Sequence, residues 1–100
     1  MEESGVGWGM SSDVVHNGDG FRFEVTVDGR TGVAEYVDRG GVWVMNHTSV
    51  PDELRGQGVA GRLVKTALEA ARAAGVKVDP QCSYVAVYME RHPEFADLRV

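Results

Sequence analysis

The spacing of apolar residues changes once along this chain, at Pro51, and that change constrains the fold more than any other feature. Upstream, Phe21, Phe23, Val25 and Val27 alternate with Arg22, Glu24, Thr26 and Asp28. A period of two with one apolar face is the pattern of a half-buried strand. Residues 31–38 (TGVAEYVD) and 41–50 (GVWVMNHTSV) predict two more strands, rich in β-branched and aromatic residues, and Val14-Val15-His16 starts a shorter one. Asp28-Gly29 is a hairpin turn because both positions accept positive φ, and Arg39-Gly40-Gly41 supplies the next turn. In the last strand Trp43, Met45 and His47 share one face and Val42, Val44 and Asn46 the other; the pattern leaves open which is the core face.

Downstream, Ala60, Leu63, Val64, Ala67, Leu68 and Ala71 fall at offsets 0, 3, 4, 7, 8 and 11, one face of an α-helix. Gly75 stands where such a helix ends. Residues 76–79 (VKVD) predict a short strand stopped by Pro80. Residues 82–92 predict a second helix closed by Pro93, and Phe95 and Leu98 dock a short tail. The order ββββ-α-β-α predicts an α+β domain with a mixed α/β sheet over residues 14–100, preceded by a flexible tail, residues 1–13.

Composition narrows the function. At 100 residues, with 43% hydrophobic and 25% charged residues, the chain has the content of one globular domain and not of a disordered segment. A formal net charge of −5 argues against a broad nucleic-acid or anionic-membrane surface. No apolar run approaches the ~20 residues of a membrane span, and the acidic, glycine-rich start is no secretory signal, so a cytoplasmic protein is expected. The single cysteine, Cys82, excludes an internal disulfide. His16, His47 and His92 show no metal-ligand spacing, so no metal is expected.

The chemistry concentrates in VPDELRGQGVAGRLV, where a strand runs through Gly56, Gly58 and Gly61 into a helix. The first N–H groups of a helix have no internal acceptor, and its dipole is positive at that end. Glycines let a ligand approach the backbone, which makes this junction a phosphate or diphosphate site; Arg55 and Arg62 add charge. No Gly-Lys-Ser/Thr ending follows, and the G-x-G-x-x-G fingerprint is incomplete. The alternative is a plain glycine-rich connection.

Within that segment RGQGVA resembles the acetyl-CoA diphosphate loop of the GNAT-type N-acetyltransferase superfamily, Arg/Gln-x-x-Gly-x-Gly/Ala, with Arg55, Gly58 and Ala60 at the defined positions. The preceding HTSVP, the later VDPQCSYVAVYMERHPEF and the short length resemble a minimal, single-domain branch of it, over roughly residues 14–98. The resemblance implies a GNAT-like acyl-CoA N-acyltransferase fold whose sheet splays after the fourth strand, here lacking the C-terminal strand pair that usually walls the acceptor site. It implies acetyl-CoA as cosubstrate, bound by Arg55, Gly56, Gln57, Gly58, Val59, Ala60 and Gly61 at the diphosphate. The backbone of His47, Thr48, Ser49 and Val50 would pair with the pantetheine arm.

Three residues are candidates for the chemistry. His47, at the strand end, is placed to take a proton from an incoming amine. Cys82 opens the second helix, where a thiol pKa falls, and is a candidate acyl-carrying nucleophile; its alternative is a small buried hydrophobe. Tyr88 stands near the place of the tyrosine that protonates the departing thiolate, although with Tyr84 it also forms an i, i+4 aromatic pair suited to a core. His92 reads as a helix-end cap. The expected reaction is acetyl transfer to an amine, achieved largely by positioning. The acidic surface favours a cationic acceptor, a basic peptide or a small amine such as a polyamine. The alternative is a non-catalytic CoA or acyl-CoA sensor or interaction module. A monomer or weak homodimer is expected.

Overall fold

The period-two stretches form a meander and the period-3.6 stretch a helix. The computed structural model describes residues 14–54 and 56–100; the expected tail, residues 1–13, and Arg55 lie outside the described residues. Strands β1 (Val15–Asn17), β2 (Arg22–Val27), β3 (Arg30–Asp38) and β4 (Val42–Ser49) pair antiparallel in sequence order. A short 3₁₀ turn, Asp52–Leu54, leads to helix α1 (Val59–Ala74), and strand β5 (Lys77–Pro80) then joins β4 in parallel. Helix α2 (Ser83–Arg91) and a 3₁₀ segment (Pro93–Leu98) follow. The five-stranded sheet is ordered β1-β2-β3-β4-β5, the mixed α/β architecture expected.

Local chemistry explains the turns. Val27 pairs with Arg30 across Asp28 and Gly29, whose φ values of 51° and 78° are those of a two-residue hairpin loop. Helix α1 stops at Gly75, φ 74°, where the Gly75 N–H donates to Arg72 O at 3.1 Å and the Val76 N–H to Ala71 O at 3.0 Å. Phe21 departs from the expected alternation. Its φ of 53° puts it in the turn before β2, where it is 48% exposed and lies edge-on to Tyr36.

One face of the sheet is covered. Phe23, Val25, Ala34, Tyr36, Trp43, Met45 and Val78 join one buried cluster with α1, with Val85 and Met89 of α2, and with Phe95 and Leu98. Full burial of a side chain such as Leu63 or Leu68 contributes about 1.5–3 kcal/mol, so α1 is held by its inward face and not by propensity. The other face carries Glu24, Val33, Glu35, Val37, Val42, Val44 and Asp79, none of them buried.

A bulge in β4 shapes everything beyond it. Tyr36 lies opposite Met45 but Glu35 lies opposite His47, so Asn46 is an extra residue on β4. An inserted residue reverses the facing of the strand that follows. Trp43 and Met45 face the helices, which answers the question the pattern left open. His47 does not stay with them: it is exposed and turns to the open face, while Thr48, opposite Ala34, turns inward.

Pro80, expected to stop β5, is its last residue and lies opposite Met45. The Cys82 N–H then donates to Met45 O at 2.8 Å, and α2 starts at Ser83 with Cys82 as its N-cap, one residue later than expected. Beyond Met45, β4 keeps β3 on one side and has no strand on the other.

Candidate functional site

Where β4 and β5 part, a cleft of about 360 Å³ opens, lined by Thr48, Val50, Leu54, Gly56, Gly58, Val59, Ala60, Gly61 and Tyr84. Its base is the first turn of α1. The first intrahelical bond runs from the Arg62 N–H to Gly58 O at 3.0 Å, and Gly58 has no side chain to cap the donors before it. The N–H groups of the first turn therefore have no helical acceptor, at the positive end of the dipole. Gly56 and Gly58 have φ values of 83° and 74°, and a β-carbon on either would meet nothing within 4 Å. These positions need glycine for backbone shape, not for room.

The expected loop residues divide. Thr48, Val50, Gly56, Gly58, Val59, Ala60 and Gly61 line the cleft, whereas Ser49 is exposed on the other side of β4 and Arg55 lies outside the described residues. The Gln57 N–H, expected among the anion donors, is donated to Leu54 O at 3.3 Å, and Gln57 Nε2 to Glu53 O at 3.1 Å. Gln57 closes the turn instead of offering its N–H to a ligand. Arg62 Nε is buried without a hydrogen-bond partner among the described residues, and Arg62 does not line the cleft.

Cys82 stands against the β4 wall. Its Sγ donates to Thr48 Oγ1 at 3.7 Å, across 34 residues of sequence. Burial pushes the thiol up, but the Val85 N–H, the Thr48 hydroxyl and the Tyr84 and Thr48 N–H groups donate to the thiolate once the proton has left, which outweighs burial and holds the thiol below its ordinary value. The short helix supplies the Val85 and Tyr84 N–H groups, and the strand supplies the Thr48 hydroxyl and N–H.

Tyr84 and Tyr88 lie over Gly61: a β-carbon there would stand 3.7 Å from Tyr84 Oη and 4.0 Å from Tyr88 Cε2. Tyr84 is the one that lines the cleft. Its signal in the sequence was the i, i+4 pairing with Tyr88, which did not say which ring faced the cleft. Tyr88 stacks on His92 with 4.0 Å between ring centroids. Burial first, then Glu94, Tyr84 and Glu69, push its phenol up, so it stays protonated at neutral pH. His92 Nδ1 is 3.6 Å from Glu94 Oε2. His47 does not line the cleft and sits opposite Glu35 on the open face. His16 pins β1, with Nε2 2.6 Å from the Tyr36 hydroxyl and its ring stacked on Phe23.

Comparison with known proteins agrees with this geometry. No curated protein sequence matches the chain significantly. The solution structure of a GCN5-like protein from Staphylococcus aureus matches with a TM-score of 0.66 and 27% identity, over 80% of this chain and 81% of that one. The family model for GCN5-related N-acetyl-transferases matches residues 22–98, from the start of β2 to the end of the 3₁₀ segment. With its cleft, its uncapped helix and the bulged strand inside that span, the chain belongs to the GCN5-related N-acetyltransferase family.

Proposed function

We propose that this protein binds acetyl-CoA in the β4–β5 cleft and transfers the acetyl group to an amine, as a member of its family similar to mammalian N-acetyltransferase domain-containing protein 1. The observation that carries the reading is the uncapped first turn of α1 at the base of a cleft whose β4 wall has one free edge. The donor set fits the ligand: backbone N–H groups suit a diphosphate, and a free strand edge suits the amides of a pantetheine arm.

Gly58, Val59, Ala60 and Gly61 hold the diphosphate through their N–H groups, with Tyr84 beside them. The backbone from His47 to Val50 pairs with the arm. The bound thioester supplies a carbonyl carbon already activated toward amines. Holding it still removes much of the entropic barrier, which is why few dedicated catalytic groups are needed. The bulge separates two roles: Thr48 faces the cleft with Cys82 against it, and His47 faces the open side, where it accepts a proton from an arriving amine. Tyr88, kept protonated and lying over Gly61 next to the cleft-lining Tyr84, is the proton source for the departing thiolate. Cys82, with its lowered thiol, offers a route through an acetylated cysteine.

The uncovered sheet face favours one competing reading, a CoA sensor without turnover. Calorimetric titration with acetyl-CoA and CoA, followed by an assay for free CoA thiol in the presence of amines, separates the two. Saturable binding with thiol release that falls in His47→Ala supports the enzyme. Binding without release supports the sensor, and no binding at millimolar ligand refutes both.

A further inference from the structure

The open face carries a second cavity, of about 520 Å³, lined by Arg39, Val42, Val44, Asp79, Gln81 and Val100. It backs onto the same strand junction as the cleft, from the opposite side. Val44 precedes Met45 and Gln81 precedes Cys82, and the bond from the Cys82 N–H to Met45 O at 2.8 Å links β4 to the chain leaving β5. Strand alternation puts Val44 and Asp79, which pair in register, on the open face and Met45 on the covered one. The bulge sends His47 to that open face too.

The cavity is polar at both ends and apolar between. Nearer the junction, Asp79 Oδ1 accepts from Gln81 Nε2 at 2.8 Å, and the Gln81 N–H donates to Asp79 O at 3.0 Å. This fixes the carboxylate and leaves Oδ2 without a partner among the described residues. At the far end Arg39 is held in the β3–β4 turn by its N–H to Val42 O at 2.8 Å, and its guanidinium has no ion pair among the described residues. Val42, Val44 and Val100 supply the apolar lining. Val42 and Val44 are one strand repeat apart, about 7 Å.

We infer that this cavity is the acceptor site and that it takes a zwitterionic amine, with the ammonium at Asp79 and a carboxylate at Arg39; the inference rests on the acetyl-transfer reading. It departs from the polyamine or basic peptide suggested by net charge, because a second cation would fall against Arg39. Local charge placement outweighs the sum over the molecule at contact distance. In the transfer step the amine nitrogen forms the N–C bond to the thioester carbonyl as the C–S bond breaks. Of the two protons the ammonium loses, one goes to the CoA thiolate and one to water through the open face.

Three probes of equal length test it: 6-aminohexanoate, hexylamine and 1,6-diaminohexane. Acetyl-CoA affinity is measured first by calorimetry on the wild type and on Arg39→Ala, and is expected to be equal. Amide shifts are then recorded on the CoA-loaded protein as each probe is added, and kcat/KM is measured with acetyl-CoA. The expected result is shifts at Val42, Val44 and Gln81 with 6-aminohexanoate. Its kcat/KM should exceed that of the other two by at least about tenfold, as a charge-assisted bond provides, and the advantage should vanish in Arg39→Ala. Equal use of the three probes, an advantage that survives Arg39→Ala, or acetyl-CoA binding without those shifts overturns the acceptor site alone. Failure of acetyl-CoA to bind removes the acetyl-transfer reading and this site with it.

Discussion

Gly58 separates the requirements of folding from those of binding. Its φ of 74° is left-handed and its β-carbon position is empty. Gly58→Ala therefore keeps every N–H and meets no steric obstacle, but places an L-residue in a conformation that costs about 1–2 kcal/mol. In a domain of this size each kcal/mol lowers Tm by about 4–8 °C, so a loss of about 4–16 °C is expected. Gly58→Glu carries the same strain. Its carboxylate, however, stands at the positive end of α1, where it restores about 0.3–1 kcal/mol. Gly58→Glu should therefore melt above Gly58→Ala. Binding should run the other way. Repulsion between the new carboxylate and a diphosphate near contact distance is about 1–4 kcal/mol, or about five- to 800-fold in Kd, while Gly58→Ala stays within about threefold of wild type. Thermal melts without ligand and calorimetry with CoA at low salt read the two orders. A Gly58→Glu protein that binds CoA as well as Gly58→Ala refutes an anion site on this turn. One that melts below Gly58→Ala shows the helix start is not bare.

Three further outcomes follow from the geometry. Cys82 should alkylate with a pH midpoint below that of a free cysteine, and Thr48→Val should raise that midpoint by removing a hydrogen bond to the thiolate. The Asp97 carboxylate, hydrogen-bonded by Arg72 at 2.8 and 3.0 Å, is held below its ordinary value; its stabilisation is present above the unfolded carboxylate value and lost as pH falls through the folded one. Melts of wild type and Asp97→Asn should therefore converge below about pH 4. Leu68→Ala, at a fully buried position, should cost about 2–5 kcal/mol and lower Tm by about 10 °C or more without altering thiol reactivity of the remaining folded protein; a loss under about 1 kcal/mol in denaturant unfolding contradicts the packing described.

Much of this protein was legible because it rests on local rules. Asp28-Gly29 turns the chain because both residues tolerate positive φ, and Gly75 ends α1 for the same reason. The buried residues of α1 repeat with the helical period, and the glycine junction before them marks a helix start with no cap of its own. Those features depend on neighbours within a few residues.

What the sequence left open depends on pairing between distant segments. Period-two reading assumes an unbroken register, and the extra residue at Asn46 is visible only once β3 is laid against β4. That one residue moves His47 off the core face, brings Thr48 into the cleft and so gives Cys82 its hydroxyl partner. The choice of Tyr84 over Tyr88 as a cleft residue follows from where α2 crosses Gly61. The engagement of the Gln57 N–H follows from the 3₁₀ turn before it. Apolar periodicity thus determined which elements form and where the uncapped start of α1 lies. The sheet register and the helix crossing decided which side chains meet there, because a face or a contact belongs to two segments at once and neither encodes it alone.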